Sequence, residues 1–411
     1  MTDLSPAPLM WIDATRPAAG LRLWGMTLVE RLLREAARRG LPRAGIVVRA
    51  GSGFAIEHLR PDLARLYDIE VRPINEGAIH TTEVADLDPD GSAIVCDGDV
   101  VHDDRVLDHL LAVGPGHAVA GTDAAAAHLS IAALQRYIRA GEPMGVAKLP
   151  DVHTTRLQEL DHYVADLRLT MVPFLVRITE ASGLRRVDHL LFHRTFKGVI
   201  DAVARYGYYH FVRCTTRWLS RTAVSPNLLT ALSILGIWAA IPCFAMGQIG
   251  WGILSAWIGV ILDSVDGKLA RLTVNLSDTM GDLEHAAAMP GLGLWFIALG
   301  WHLSAGQLLS LTPASITCWI LVSTFLADKL LTGAFRKLFG YELFDARPLD
   351  AAFHLIAARR NVHLLLLTVG TALSSVIPAY EWMAVGMAGS LVFHAIRFAW
   401  IAITGPRREM A

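Results

Sequence analysis

The chain has 411 residues with 37 Lys and Arg against 38 Asp and Glu, a formal net charge of −1. That near-neutral balance excludes a globally basic nucleic-acid binder. Apolar residues make up 53% and charged ones 18%, which is too apolar for a purely water-soluble protein and points to a membrane chain.

The start, MTDLSPAPLMW, has neither a basic region nor an apolar core, so no cleaved signal peptide is expected. Residues 1 to about 185 contain no apolar run long enough to cross a bilayer. Short buried-strand patterns (AGIVVRA at 44–50, SAIVC at 92–96) alternate with helical ones (MTLVERLLREAARR at 26–39). This alternation predicts an α/β soluble domain with a mostly parallel sheet. Four scattered cysteines, Cys96, Cys214, Cys243 and Cys318, have no metal-site spacing and read as small buried hydrophobes.

Residues 186–222 are rich in basic and aromatic side chains, among them Phe192, Arg194, Tyr206, Tyr209, Arg213 and Trp218. Their helical spacing predicts an amphipathic helix over 188–221, lying in the membrane interface and joining the two parts. A solvated linker is the alternative.

From residue 223 to about 405 the sequence predicts an all-α bundle of six transmembrane helices, near 226–246, 250–270, 280–302, 309–331, 361–379 and 382–404. Lys268, Arg271, Lys329, Arg336, Lys337, Arg359, Arg360, Arg407 and Arg408 fall in alternate loops and the tail. The positive-inside rule then places both termini in the cytoplasm, so a multi-pass protein of the inner membrane is expected. Arg359, Arg360 and Asn361 read equally well as ordinary cytoplasmic charges. Arg397, inside the sixth segment, calls for a phosphate or carboxylate partner within the bundle.

The second segment ends in ILDSVDGKLARL, residues 261–272, with four charges where each costs about 2.5–3.5 kcal/mol in lipid. On a helix Asp263, Asp266, Gly267, Ala270 and Arg271 share one face. Two carboxylates suit Mg²⁺ or Mn²⁺, the small residues admit a bulky group, and Arg271 can fork a phosphate. The face suits a metal-bound pyrophosphate at the cytoplasmic surface; the alternative is a helix end already emerged into water.

Asp263-x2-Asp266-Gly267-x2-Ala270-Arg271 resembles the first half of the CDP-alcohol phosphotransferase signature, and Ser225-Pro226-Asn227-x2-Thr230 resembles the family's opening of the first membrane helix. The resemblance implies transfer of a phosphoalcohol from a CDP-alcohol donor to an acceptor hydroxyl with release of CMP, as in phospholipid biosynthesis. It also implies a divalent metal and a homodimer. Asp263, Asp266 and Glu284 would then hold metal, and Gly267, Lys268, Ala270, Arg271, Asn227 and Thr230 would bind substrate. In the ungapped register the second half departs from the family: Met280 stands for Gly, Glu284 for the third Asp, and Ala288 for the fourth Asp, the base. His285 or Asp282 would have to take the proton instead. A rotated third helix would instead offer Asp278, Asp282 and His285. The rival reading is a catalytically degenerate membrane protein that binds nucleotide or lipid and regulates a partner enzyme.

The N-terminal part resembles, in patches, the inositol-phosphate cytidylyltransferases and related nucleotidyltransferases sometimes fused ahead of such domains. Gly25-x2-Leu28-x-Glu30-Arg31-x-Leu33, Asp97-Gly98-Asp99 and Asp151-Val152-His153-Thr154 carry the likeness, which implies a metal at Asp99. The Gly-rich triphosphate loop is missing: residues 9–24 supply Gly20, Arg16 and Arg22.

Overall fold

The computed structural model describes residues 7–49, 51, 53–75, 88, 90–140, 152–164, 167, 169–196 and 198–405. Asp151 and Lys197 lie outside them. Several side chains at the start of the third long helix, Asp278, Asp282, Glu284 and His285 among them, are also outside the described part, although their backbone is helical.

The N-terminal half is built on a seven-stranded sheet. Its strands are β1 (Leu9–Asp13), β2 (Arg43–Val48), β3 (Glu70–Asn75), β4 (Ser92–Asp97), β5 (His117–Ala120), β6 (Ala125–Ser130) and β7 (His153–Arg156). They run in the order β3-β2-β1-β4-β6-β5-β7. β6 is antiparallel to both neighbours and every other pairing is parallel, as the strand–helix alternation predicts. β1 (LMWID) and β4 (SAIVCD) are near-continuous apolar runs because helices cover both faces of a parallel sheet. The covering helices are α1 (Leu28–Arg38), α2 (Asp104–Val113) and α3 (Ile131–Ala140).

The expected single helix over 188–221 is two helices. α4 (Ala181–His193) and α5 (Tyr209–Leu219) are separated by a break containing Gly198, at φ +61°, and a π-helical turn, Val203–Gly207. A left-handed glycine cannot continue a helix. Aromatic rings hold the break: Phe196 stacks on Tyr209 with centroids 5.8 Å apart, and Phe192 stands edge-on to both at 5.7 and 5.5 Å. Tyr206, Phe211 and Trp218 are exposed.

The C-terminal half contains α6 (Pro226–Ala245), α7 (Ile249–Leu272), α8 (Asp278–Leu303), α9 (Pro313–Phe339), the short α10 (Pro348–His354), α11 (Arg360–Ala372) and α12 (Val376–Thr404). Among the described residues five helices are long and apolar enough to cross a membrane: α6, α7, the 286–303 part of α8, α9 and α12. The expected fifth span over 361–379 is corrected to the 13-residue α11, about 20 Å long. Ser374 turns left-handed at φ +54° and Ser375 donates back to the Gly370 carbonyl at 2.6 Å, which caps α11 early. Arg397 on α12 finds the bundle partner expected of it, gripping Asp350 of α10 through two hydrogen bonds.

α6 and α7 meet at their glycines. A Cβ at Gly259 would lie 2.7 Å from the Ile237 nitrogen, and one at Gly236 would lie 2.9 Å from the Gly259 nitrogen. With lipid on the outside, such close backbone approach replaces the hydrophobic effect as the source of helix association. Gly259→Val is expected to force the pair apart, lowering the thermal midpoint in detergent by several degrees. A midpoint unchanged from the parent's would show that the crossing is loose.

The two halves are docked. α7 ends under α1: Arg31 donates to the Leu272 carbonyl at 2.9 Å and Arg34 to the Thr273 carbonyl at 3.3 Å, while the Tyr67 hydroxyl donates to the Val274 carbonyl. Cations at a helix C-terminus satisfy its orphan carbonyls and complement its dipole. Arg60 donates to the Ser220 and Thr222 carbonyls at 2.9 and 3.0 Å. Beneath them, Leu23, Trp24, Leu28, Leu191 and Phe192 pack with Leu272 in one apolar cluster.

Glu35 lies in this docking layer, wholly buried and 3.0 Å from Arg31. Burial pushes its carboxyl up to about 7, with Arg31 opposing the rise. A raised folded pKa gives stability that is full below the unfolded value, near 4.5, and is lost as pH rises through about 7. Thermal midpoints should therefore decline between pH 5 and 8, and Glu35→Gln should flatten that slope. A slope that survives the substitution would assign it to other groups.

Candidate active site

A cavity of about 630 Å³ lies at the seam between the halves. Its membrane-side wall is formed by Asn227 and Thr230 of α6 and by Asp266, Gly267, Ala270 and Arg271 of α7, with Ser277, Met280 and Gly281 at the start of α8. Six of the residues singled out in the sequence are thus brought to one place.

Ser225 caps α6, its hydroxyl accepting from the Leu228 N–H at 3.3 Å, and Pro226 occupies the first helical turn. One turn on, the Thr230 hydroxyl donates to Asp266 Oδ2 at 2.6 Å. Both groups are buried, with Asp266 only 2% exposed, so the bond fixes the carboxylate's orientation toward the cavity wall. A Cβ at Gly267 would lie 3.1 Å from a terminal nitrogen of Arg271, whose guanidinium folds back over the bare backbone.

Asp263 and Lys268 line a neighbouring cavity of about 160 Å³ instead. Asp263 is ion-paired with Arg360 at the start of α11. The Lys268 ammonium donates to the Ser264 carbonyl at 3.1 Å and sits 4.5 Å from the centre of the Phe196 ring. Asn361 beside it donates to Asp201 and to the Tyr208 hydroxyl at 2.7 and 2.9 Å. Arg360 and Asn361 were legible as polar residues, but their partners come from other elements 97 and 153–160 residues away.

On α8, Ser277, Met280 and Gly281 all border the larger cavity. Beyond Gly281 no residue of α8, among the described residues, borders it. The side chains of Asp282, Glu284 and His285 lie outside the described part. Among the described residues no three His, Cys, Asp or Glu side chains converge as a metal cluster. Asp266 offers the hard-oxygen type of donor that suits Mg²⁺ or Mn²⁺, and Asp263, one helical turn away on α7, becomes a second donor only when released from Arg360.

Asp99 follows β4 at the carboxyl edge of the sheet and is 2% exposed. Arg177 bridges Asp99, at 2.7 Å, to Asp97, and Arg16 lies 3.0 Å from Asp99 and 3.5 Å from Asp97. Two guanidiniums thus neutralise two carboxylates where the sequence suggested a metal. That donor set does not fit a resident divalent cation.

Residues 223–339, which hold α6 to α9 and every membrane-side residue of the cavity, match the CDP-alcohol phosphatidyltransferase family model. This segment is a CDP-alcohol phosphatidyltransferase domain. Among solved structures, the chain is similar to the phosphatidylinositol phosphate synthase PgsA1 of Mycobacterium tuberculosis with CDP-DAG bound, 21% identical over 49% of this chain and 99% of that one, with a TM-score of 0.34. The same protein in complex with manganese and citrate is 21% identical over 49% of this chain and 93% of that one, with a TM-score of 0.32. No curated protein matches the chain.

The cavity of the phosphatidyltransferase domain has a second wall, which comes from the N-terminal half and from α4: Arg31, Arg38, His102, Arg105 and Arg194 border it with Asp103 and Asp104. No pattern in the sequence marks out His102, which reads as one more histidine after a strand. Its place in the cavity follows from docking of the two halves.

Proposed function

We propose that the chain is a multi-pass phosphotransferase that moves a phosphoalcohol from a CDP-alcohol to an acceptor hydroxyl and releases CMP, in phospholipid or phosphodiester synthesis. The observation that carries this reading is the convergence of Asp266, Gly267, Ala270 and Arg271 with Asn227 and Thr230 on one cavity. The acceptor oxygen forms a bond to the phosphorus distal to cytidine. The bridging P–O bond breaks, and CMP departs with its electron pair.

Asp263, Asp266 and Glu284 would hold Mg²⁺ or Mn²⁺, which neutralises the pyrophosphate when bound. Arg271 steadies a phosphate, and the gap left by Gly267 and Ala270 admits the nucleotide against the backbone. In the ungapped register position 284 is the third carboxylate and position 288 holds alanine. The acceptor proton then passes to His285 or Asp282. Lys268 lines the smaller cavity and takes no part in holding the nucleotide.

The docking of the N-terminal half on the end of α7 supports a cytoplasmic site and cytoplasmic termini at an inner membrane. The exposed Tyr206, Phe211 and Trp218 suit an interfacial face against lipid headgroups. A homodimer is proposed by resemblance. The three-part division at 1–185, 186–222 and 223–405 is retained, with α4 straddling the first boundary.

A second reading is favoured by Ala288 and by the Arg16–Asp99–Arg177 cluster: a degenerate protein that binds donor without turnover. Purified full chain incubated with CDP-diacylglycerol, a polyol phosphate and Mn²⁺ separates them. CMP release that EDTA abolishes supports the enzyme. Metal-dependent donor binding without release supports the binding protein.

A further inference from the structure

His102 ends the short strand Val100–His102, pairs there with Leu175, and is 2% exposed. Neither ring nitrogen has a hydrogen-bond partner among the described residues. A buried imidazole without partners is costly, and such groups call for an explanation. His102 is among the residues that line the 630 Å³ cavity, as are Asp266 and Arg271. That volume is typical of a small-molecule site.

The chemistry of this wall differs from that of the membrane side. Arg31, Arg38, Arg105 and Arg194 contribute four guanidiniums against the carboxylates of Asp103 and Asp104. Asp103 is taken up by Arg105 and Arg194, Arg31 by Glu35, and Asp104 faces Arg39 at 3.4 Å. Arg38, which is exposed, leaves the wall net positive. A donor with acyl chains keeps them in the bilayer and therefore approaches from the α6–α7 side. The wall supplied by the N-terminal half faces away from lipid, where a water-soluble reactant enters.

We propose that this wall is the acceptor subsite: His102 hydrogen-bonds a hydroxyl of a water-soluble, anionic polyol and Arg38 pairs with its phosphate or equivalent negative group. The inference deepens the phosphotransfer reading and rests on it. The N-terminal half, whose Asp97–Asp99 pair is already neutralised, is thereby a working part of the membrane site, and His102 is a binding residue for the acceptor. Neutral imidazole offers one donor and one acceptor, the pattern that a hydroxyl needs.

The test uses full-length protein in detergent with Mn²⁺, CDP-diacylglycerol and two probes, myo-inositol 1-phosphate and sn-glycerol 3-phosphate. His102→Leu keeps the volume and removes both nitrogens. It should raise KM for the preferred probe about tenfold or more, leave KM for CDP-diacylglycerol within about twofold, and raise the thermal midpoint by about 2 °C as an unsatisfied polar group disappears. His102→Gln, which keeps a donor and an acceptor, should recover part of the affinity, and Arg38→Gln should raise the same KM. Acceptor KM unchanged in both His102→Leu and Arg38→Gln, or donor and acceptor KM raised equally, overturns the proposal while turnover by the parent upholds the enzyme. If the parent releases no CMP, calorimetric binding of a probe that His102→Leu abolishes upholds the subsite and fells the enzyme. Neither release nor probe binding by the parent overturns both.

Discussion

Replacing Asp266 by asparagine should lower Mn²⁺-dependent CMP release from CDP-diacylglycerol by about 10²–10³-fold or more, with little change in folding. The asparagine oxygen can still accept from Thr230, whose hydroxyl lies 2.6 Å from Asp266 Oδ2, so the α6–α7 contact survives. What disappears is one negative charge from a hard-oxygen donor, and a divalent cation depends on that charge more than on shape. Because Asp266 is buried and its neighbour Gly267 carries no side chain, no nearby carboxylate moves in to replace it. Release by Asp266→Asn within a few fold of the parent would remove Asp266 from the site. A lost activity accompanied by a collapsed thermal midpoint would assign the effect to folding; an unchanged or higher midpoint is expected.

The second large effect is on the joint between the halves. Arg34 donates to Glu30 Oε1 at 3.0 and 2.6 Å, to Asp62 Oδ1 at 2.8 Å and to the Thr273 carbonyl at 3.3 Å, and both Arg34 and Glu30 are within 1% of full burial. Arg34→Met strands the Glu30 carboxylate away from water and should cost about 3–5 kcal/mol. It also withdraws a cation from the end of α7, two residues past the last signature residue, Arg271, so CMP release should fall together with stability. The double variant Glu30→Leu with Arg34→Met removes both charges and should recover most of the loss, because an apolar pair of similar volume replaces a buried ion pair at little net cost. A single-variant loss below about 1 kcal/mol, or a double variant no better than the single, would show that the pair does not hold the joint.

The joint also explains why the Asp97–Asp99 cluster is tolerated. Arg16 and Arg177 fix the loop after β1 to the strand that precedes α4, so the ion pairs hold together the part of the N-terminal half from which α4 springs. In this reading the sheet is a platform: β4 ends at Asp97, the chain turns through Asp99, and the next short strand delivers His102 to the cavity.

Much of this was legible in the sequence because local physics dictates it. Twenty-residue apolar runs set α6, α7 and α9, since a bilayer leaves the backbone no other way to satisfy its hydrogen bonds. Alternation of apolar runs with amphipathic segments set the sheet and its covering helices. The spacing of Asp266, Gly267, Ala270 and Arg271 set a common helix face, and Ser225-Pro226 set the start of α6. Where the reading fell short, conformation at single positions or contacts across long sequence separations decided. Gly198 at φ +61° split the linker helix, and Ser374 at φ +54° shortened the fifth helix, though neither residue type compels that geometry. Asp263 shares the stripe of Asp266, yet Arg360 from α11 draws it to the smaller cavity. The sequence by itself determined which helix carries the polar cluster and which way its face points, because a helical repeat is a local property. Only the tertiary structure decided what stands opposite that face, because the Arg38–His102 wall reaches it through side-chain bonds between segments some 240 residues apart, whose pairing no local pattern encodes.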